Sequence, residues 1–322
     1  MPDLSLFYPV QPQDPRELVN VATVVRRAGL ARLWIGQSLA IETFTSLAYL
    51  AARVPGLALG TAVALTPLLH PALAASSARS LAALSGKEFL AGFGVSEPSV
   101  IGKLGSRTYA RPGLFAGQYV EAVRELAGGD LWRGGPDFPG AQFGLPALEA
   151  PPVRAGLGVL RSGMARAAGR DADFMVTWLV PAAFARDELA AIAGHAAEEA
   201  GRPAPRLCCV VHLMLADGEE EGRAAVATHA GAHLSRPHYR AMLEQATGVP
   251  VDASLDDAVS AVLGGGSVVA GDPATLAAGV SRFAERSMAD ELLLNIALPT
   301  SARSGAFVET LHQITAEWRD RE

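Results

Sequence analysis

Cysteine is nearly absent from this chain. Its 322 residues hold two, Cys208 and Cys209, adjacent within an apolar run. That placement suits neither a disulfide framework nor a spaced metal site. Basic charge is not in excess either: the net charge is −6, and Arg26–Arg27 is the densest basic cluster. Non-specific nucleic-acid binding needs Lys and Arg to displace condensed counterions, so it is not expected. No uninterrupted apolar window approaches the roughly 18 residues of a membrane-spanning helix. The opening MPDLSLFYPVQPQDP has neither the basic start nor the apolar centre of a secretory signal. The expectation is a soluble, cytoplasmic protein with no nucleic-acid or membrane partner. Some catalytic signatures are also missing. There is no G-x-S-x-G elbow, no cluster of carboxylates and no His pair at a strand end, which argues against a serine or metal hydrolase.

Apolar sequence is plentiful. Half the residues are hydrophobic and 19% are charged, so a large core can form and nothing suggests disorder. From Arg32 to Pro98 three short apolar runs each end at small or polar residues and lead into an amphipathic segment. The pattern continues along the chain. Candidate strands are Leu4–Val10, Arg32–Gln37, Leu57–Val63, Phe89–Val95, Val153–Val159, Phe174–Val180, Leu207–Met214 and Glu291–Leu298. Near-continuous apolar runs mark strands buried on both faces of a parallel sheet. Helices are expected at Pro15–Arg27 (Asp14 as N-cap, Gly29 as stop), Glu42–Arg53, Pro71–Leu84, Phe115–Leu126, Ser162–Gly169, Ala183–Ala200, Asp272–Ser287 and Gly305–Arg319. Eight strand–helix units in one domain over residues 1–322 predict an α/β fold, a (β/α)8 TIM barrel. A doubly wound open sheet is the alternative. Insertions are expected after strands four and seven. One is the Gly/Pro-rich segment 128–152; the other, 216–266, is partly helical and carries His229, His233 and His238. Both are read as walls or lids of a pocket.

Barrel active sites form where the strands end. Strand two offers Gln37 and Ser38 there, strand three Ala62–Thr66, and strand four Gly94, Val95, Ser96 and Glu97. Strand five gives Gly158–Gly163, strand six ends near Pro181 and strand eight at Pro299. GVLRSG runs from a strand into a helix start, where unpaired N–H groups and Arg161 could hold a phosphate; a tight turn with a surface arginine explains it equally. Glu97 could be a general acid or a solvated loop residue. His70, before Pro71, reads as a helix-start residue that packs or caps, and Trp34 as core. The helical spacing of His229 and His233 can bind zinc, but no third ligand accompanies them, so no metal is expected.

The strings LWIGQS, LALGTAVALTPLLHP and GKEFLAGFG resemble the luciferase-like monooxygenase superfamily, as do GVLRSGMARAAGRDAD and SVVAGDPATLAAGVSRFAERSMADELLL. Their order and spacing match over nearly the whole chain. The resemblance implies a (β/α)8 oxidoreductase using coenzyme F420 or FMN, and a homodimer. It places a non-prolyl cis peptide bond at Ala62–Val63, against the flavin-type ring. Gln37 and Gly94–Ser96 then line the ring, and Gly158, Arg161, Ser162 and Gly163 hold the phosphate. In the glucose-6-phosphate dehydrogenase branch, a strand-two His and a strand-four Glu do acid–base work. Glu97 falls on the Glu position, but Ser38 stands where the His would be. The strand-two LWIGQS form is closer to deazaflavin-dependent members. Among them are reductases that convert dehydroalanine to D-alanine in lanthipeptides. There, hydride reaches Cβ and a proton reaches Cα, with Glu97 or a water it holds as the acid. The expectation is therefore an F420H2-dependent reductase acting on a small-molecule or peptide substrate. An FMN-dependent monooxygenase is the first alternative, and a non-catalytic barrel subunit the second.

Overall fold

A computed structural model describes residues 1–104, 109–138, 142–297 and 304–319, with side chains of the last segment described from residue 307. The elements in order are β1 (Asp3–Phe7), α1 (Pro15–Arg27), β2 (Leu33–Ile35), α2 (Thr43–Arg53), β3 (Leu59–Leu65), α3 (Pro71–Ser85), β4 (Phe89–Gly94), α4 (Pro98–Lys103) and α5 (Pro112–Gly128). There follow β5 (Val153–Gly158), α6 (Ser162–Asp171), β6 (Phe174–Thr177), α7 (Ala182–Phe184), α8 (Ala191–Glu199) and β7 (Arg206–Leu215). The chain then forms α9 (Glu219–Leu234), α10 (Pro237–Thr247), α11 (Leu255–Gly264), β8 (Val268–Gly271), α12 (Pro273–Ser287), β9 (Glu291–Ala297) and α13 (Ser304–Arg319).

The eight expected strands correspond to β1–β7 and β9. They pair in parallel from β1 round to β7, and β9 joins β7 to β1 to close an eight-stranded barrel with helices around it. The open-sheet alternative is excluded by that closure. Helix ends follow local chemistry. Asp14 accepts the N–H of Arg16 at the start of α1, and Asp272 accepts that of Thr275 at α12. A side chain at these positions satisfies a donor that the first turn leaves unpaired. Glu42, expected as the first helical residue of α2, is instead its N-cap. A π-helical segment, Ala185–Ala190, lies within the single helix expected over Ala183–Ala200. The ends expected at Leu298 and Pro299 lie outside the described residues.

The structure also contains a strand that sequence reading omits. The first half of β7 pairs with β6 through Phe174↔Arg206 to Thr177↔Cys209. Its second half pairs with β8 through His212↔Val268 to Leu215↔Gly271. β8 is only four residues long, too short for its pattern to stand out beside the α11 run that precedes it.

Two kinds of layer fill the barrel. Outward-facing residues such as Leu4, Leu6, Leu33 and Leu292 join the core beneath the helices. Inside, Phe7, Trp34, Leu90, Phe174, Cys208, Val210 and Leu293 form a second cluster. Trp34 and Phe174 meet edge to face, with centroids 5.7 Å apart. They fit because the facing strands carry glycine: a Cβ on Gly60 would lie 2.6 Å from the Trp34 ring, and one on Gly156 2.5 Å from Phe174. Below them Glu291, 1% exposed, accepts hydrogen bonds from Ser5 Oγ (2.6 Å) and Trp34 Nε1 (2.8 Å). Arg206 and Arg32 approach the same carboxylate at 3.6 and 3.9 Å. This end of the barrel is closed by a buried, paired charge.

Candidate active site at the C-terminal rim

β3 is interrupted where the sequence marked it. The Ala62–Val63 peptide bond is cis, and the register between β3 and β4 shifts between Thr61 and Ala64. A broken ladder leaves backbone groups to be satisfied, and two side chains do so. Thr61 Oγ1 lies 2.9 Å from both the carbonyl and the N–H of Gly92, accepting from one and donating to the other. Gln37 Oε1 accepts the N–H of Leu65 at 2.9 Å, while its Nε2 donates to the Ser38 carbonyl at 3.0 Å. Gln37 therefore ties the end of β2 to the end of β3.

Val63 rests on two glycines of the neighbouring strands. A Cβ on Gly94 would stand 2.7 Å from Val63 Cγ2, and one on Gly158 3.3 Å from Cγ1. Ala62, Val63, Gly94 and Gly158 are thus brought together as a smooth surface at the ends of β3, β4 and β5. Val95 and Ser96 continue the same rim, half-buried, with Ser96 in the left-handed region (φ 61°). Next to them α6 begins, with Arg161 at its N-cap, followed by Ser162 and an exposed Gly163. The first N–H groups of a helix have no acceptor within it and face any anion placed there. Gly163 has open space where a side chain would be.

Glu97 follows at the N-cap of α4, its side chain 19% exposed. It hydrogen-bonds with Ser99, pairs with Arg236 Nη1 at 2.9 Å and stands 3.6 Å from His238 Nδ1. The Ser99 hydroxyl, and then Arg236, hold its carboxyl below the usual range despite partial burial. Glu97 is an anion in this arrangement. His238 is pushed down by burial and then by Arg236 and Arg161, with Glu97 opposing. Sequence reading found Arg161 and missed Arg236, which arrives from an insertion some 75 residues later. No linear pattern could pair it with Glu97.

Ser38 is placed differently. It is 1% exposed, its N–H donates to Thr43 Oγ1 (2.9 Å), and its hydroxyl accepts from Ala40 (3.2 Å). Those bonds build the turn into α2, below the open rim. His70 caps α3 through the Ala72 N–H and packs on Trp132 and Phe138, as expected of a capping residue.

The two insertions take different courses. The described part of 128–152 lies along α3 and α5, where Phe138 packs on Phe115 and Tyr119 and Arg79 donates to the Pro146 carbonyl at 2.7 Å. Its Trp132 and Phe138 pack on His70 at the start of α3. The second insertion crosses the barrel mouth. His233 of α9 packs on Trp178 at the end of β6 (5.7 Å) and on Tyr239 of α10 (5.5 Å), and His238 packs on Tyr239 (4.6 Å). His229, four residues before His233, is exposed. An open cavity of about 530 Å³ between α9, β8 and α12 shares no lining residue with the rim.

Residues 4–291 match the family described as luciferase-like monooxygenase. The chain belongs to that family. Its members are flavin- or deazaflavin-dependent oxidoreductases, and this chain is an enzyme of that class. No curated protein matches it. Among solved structures it is similar to the coenzyme F420-dependent tetrahydromethanopterin reductase of Methanopyrus kandleri (16% identity, TM-score 0.70, 98% of this chain and 97% of that one). It is also similar to the EDTA monooxygenase of Chelativorans sp. BNC1 (17%, 0.75, 99% and 93%). A third is an F420-dependent secondary alcohol dehydrogenase in complex with an F420-acetone adduct (14%, 0.68, 98% and 98%). At these identities the likeness is one of fold, and it spans both cofactor types. Among the described residues no helix is long and apolar enough to cross a membrane.

The rim fits the cofactor of this family. Val63 packs where a side chain on Gly94 or Gly158 would stand, so these three ends present only small groups toward a ring placed there. The start of α6, with Arg161 and the open space at Gly163, suits a phosphate.

Proposed function

We propose that this protein is an F420H2-dependent reductase acting on an unsaturated organic substrate, with a dehydroamino acid in a peptide as the favoured case and a homodimer as its working form. The observation that carries this reading is the Val63–Gly94–Gly158 surface beside the start of α6, where Arg161 stands at the N-cap. A phosphate followed by an acidic tail calls for more than one cation, and Arg236 of the insertion, paired with Glu97, is a second one near the mouth. The bound deazaflavin would supply a hydride.

The chain's own residues bind, orient and hold protons. Gly158, Arg161, Ser162 and Gly163 take the phosphate, with the α6 N-terminus facing it. Val63, Gly94, Val95 and Ser96 carry the ring, and Gln37 keeps the β2–β3 seam that supports them. Glu97 is already a carboxylate and is held by Arg236, so it serves better as the holder of a water than as the proton donor itself. Ser38 contributes by fixing the turn beneath the rim.

Titration with F420 and with FMN, followed by fluorescence, tests the reading. Micromolar or tighter binding of F420, weakened about tenfold or more by Arg161→Ala, supports it. Binding of FMN alone would move the protein to oxygen insertion, and binding of neither would make it a barrel without a redox site.

A further inference from the structure

Across the barrel from the cis bond, β7 and β9 bring His212 and Asn295 opposite each other. Alternation along β7 sets His212 on the inward face with Cys208 and Val210, above Leu293 of β9. His212 is 3% exposed and Asn295 6%. Their side chains meet once, Asn295 Nδ2 to His212 Nδ1 at 3.0 Å. Trp178 stands edge-on to the imidazole, with centroids 4.6 Å apart, and Phe7 packs on Trp178 at 5.0 Å.

Three buried polar atoms of this trio have no hydrogen-bond partner: His212 Nε2, Asn295 Oδ1 and Trp178 Nε1. Buried polar groups are ordinarily satisfied, and each one left bare is costly. Their arrangement has a defined polarity. With the Asn295 amide donating to Nδ1, the imidazole proton is on Nε2, so His212 offers a donor and Asn295 an acceptor. Reversing the amide exchanges the two roles but still leaves one of each. Trp178 adds a second donor. A carboxylate or an ammonium would leave one of these atoms opposed, whereas a neutral amide carries both an acceptor C=O and a donor N–H, on opposite edges of its plane. The helical insertion covers the trio. His233 lies on Trp178 and Tyr239 on His233, and Arg236 ties this cover to Glu97 at the rim.

We infer that His212, Asn295 and Trp178 form a recognition site for a neutral amide group of the substrate, reached when the α9–α10 cover lifts. The inference rests on the barrel mouth being the substrate site. It names what the proposed reductase would grip: the amide next to the carbon–carbon double bond. The amide oxygen meets the two donors and the amide N–H meets Asn295. An ester of the same shape lacks the N–H and leaves Oδ1 bare.

The probes are N-acetyl-dehydroalanine N-methylamide and the matching methyl ester. Binding is read on the full-length protein by the ring-nitrogen NMR signals of His212, assigned by their loss in His212→Gln. The expected result is a shift of the Nε2 signal with the amide and about a tenfold or greater weakening with the ester. Asn295→Leu should erase the difference between the probes. Equal shifts from both probes, no shift up to tens of millimolar, or a trapped water that neither probe displaces would overturn the inference. F420 fluorescence on the same samples keeps the two proposals apart. Normal F420 binding without an amide shift sinks the amide site alone, and an amide shift without F420 binding sinks only the cofactor assignment.

Discussion

Lowering the pH from 7.5 to about 5 should cost this protein stability mainly through one histidine. Burial pushes His212 down to about 3 from 6.5, with nearby His233 adding to the shift. The groups facing it are Asn295, Trp178 and His233, and no carboxylate is among them to favour the charged form. A histidine kept neutral in the folded chain binds its proton only after unfolding. Its contribution is therefore fully present above pH 6.5 and is lost as pH falls toward 3. Each pH unit below 6.5 is worth about 1.4 kcal/mol, so the loss at pH 5 is about 2 kcal/mol. Carboxylates titrate mostly below that point and leave the window clear. His233 and His238 are shifted the same way by burial, so the wild type should lose more than one histidine's share. The assay is urea unfolding at pH 7.5, 6.5, 5.8 and 5.0 for the wild type and His212→Gln. The variant should be less stable at pH 7.5 yet lose about 2 kcal/mol less on acidification. Identical pH slopes in the two proteins would refute the neutral, buried imidazole.

At the other end of the barrel, Glu291→Leu should destabilise by about 3–5 kcal/mol, because Ser5 and Trp34 lose their acceptor and the buried Arg32 loses an opposite charge 3.9 Å away. A loss under 1 kcal/mol in chemical denaturation would show that the network is dispensable. Gly94→Ala should lower stability by about 1–3 kcal/mol and weaken cofactor binding, since its Cβ would collide with Val63. Gly102→Ala, in open space on α4, is the control and should be neutral or slightly stabilising in the same thermal melts.

Most of the architecture was legible in the sequence because it depends on local pattern. Apolar runs bounded by Gly and Pro located the eight barrel strands, and Asp14–Pro15 located the start of α1 to the residue. The Gly-rich ends of β4 and β5 marked the rim, and the match of motifs placed the cis bond at Ala62–Val63, where the structure has it. Short β8 and the π segment escaped, since neither has a period long enough to read. Arg236 and His238 were visible only as members of an insertion, and their meeting with Glu97 depends on how three helices fold back over the mouth. His212 looked like one polar residue in the run LCCVVHLML.

The sequence alone determined that this chain buries eight parallel strands beneath helices and gathers small and polar residues where those strands end. Hydrophobic spacing and helix caps act between neighbours along the chain, so one dimension is enough to read them. Closing the sheet set residues far apart in sequence within a few ångströms of one another. Tertiary folding decided that Glu97 is held by Arg236 of the insertion and that His212 and Asn295 face each other across a buried seam. Charge state and hydrogen-bond partnership depend on distance and desolvation, and only the closed barrel fixes either.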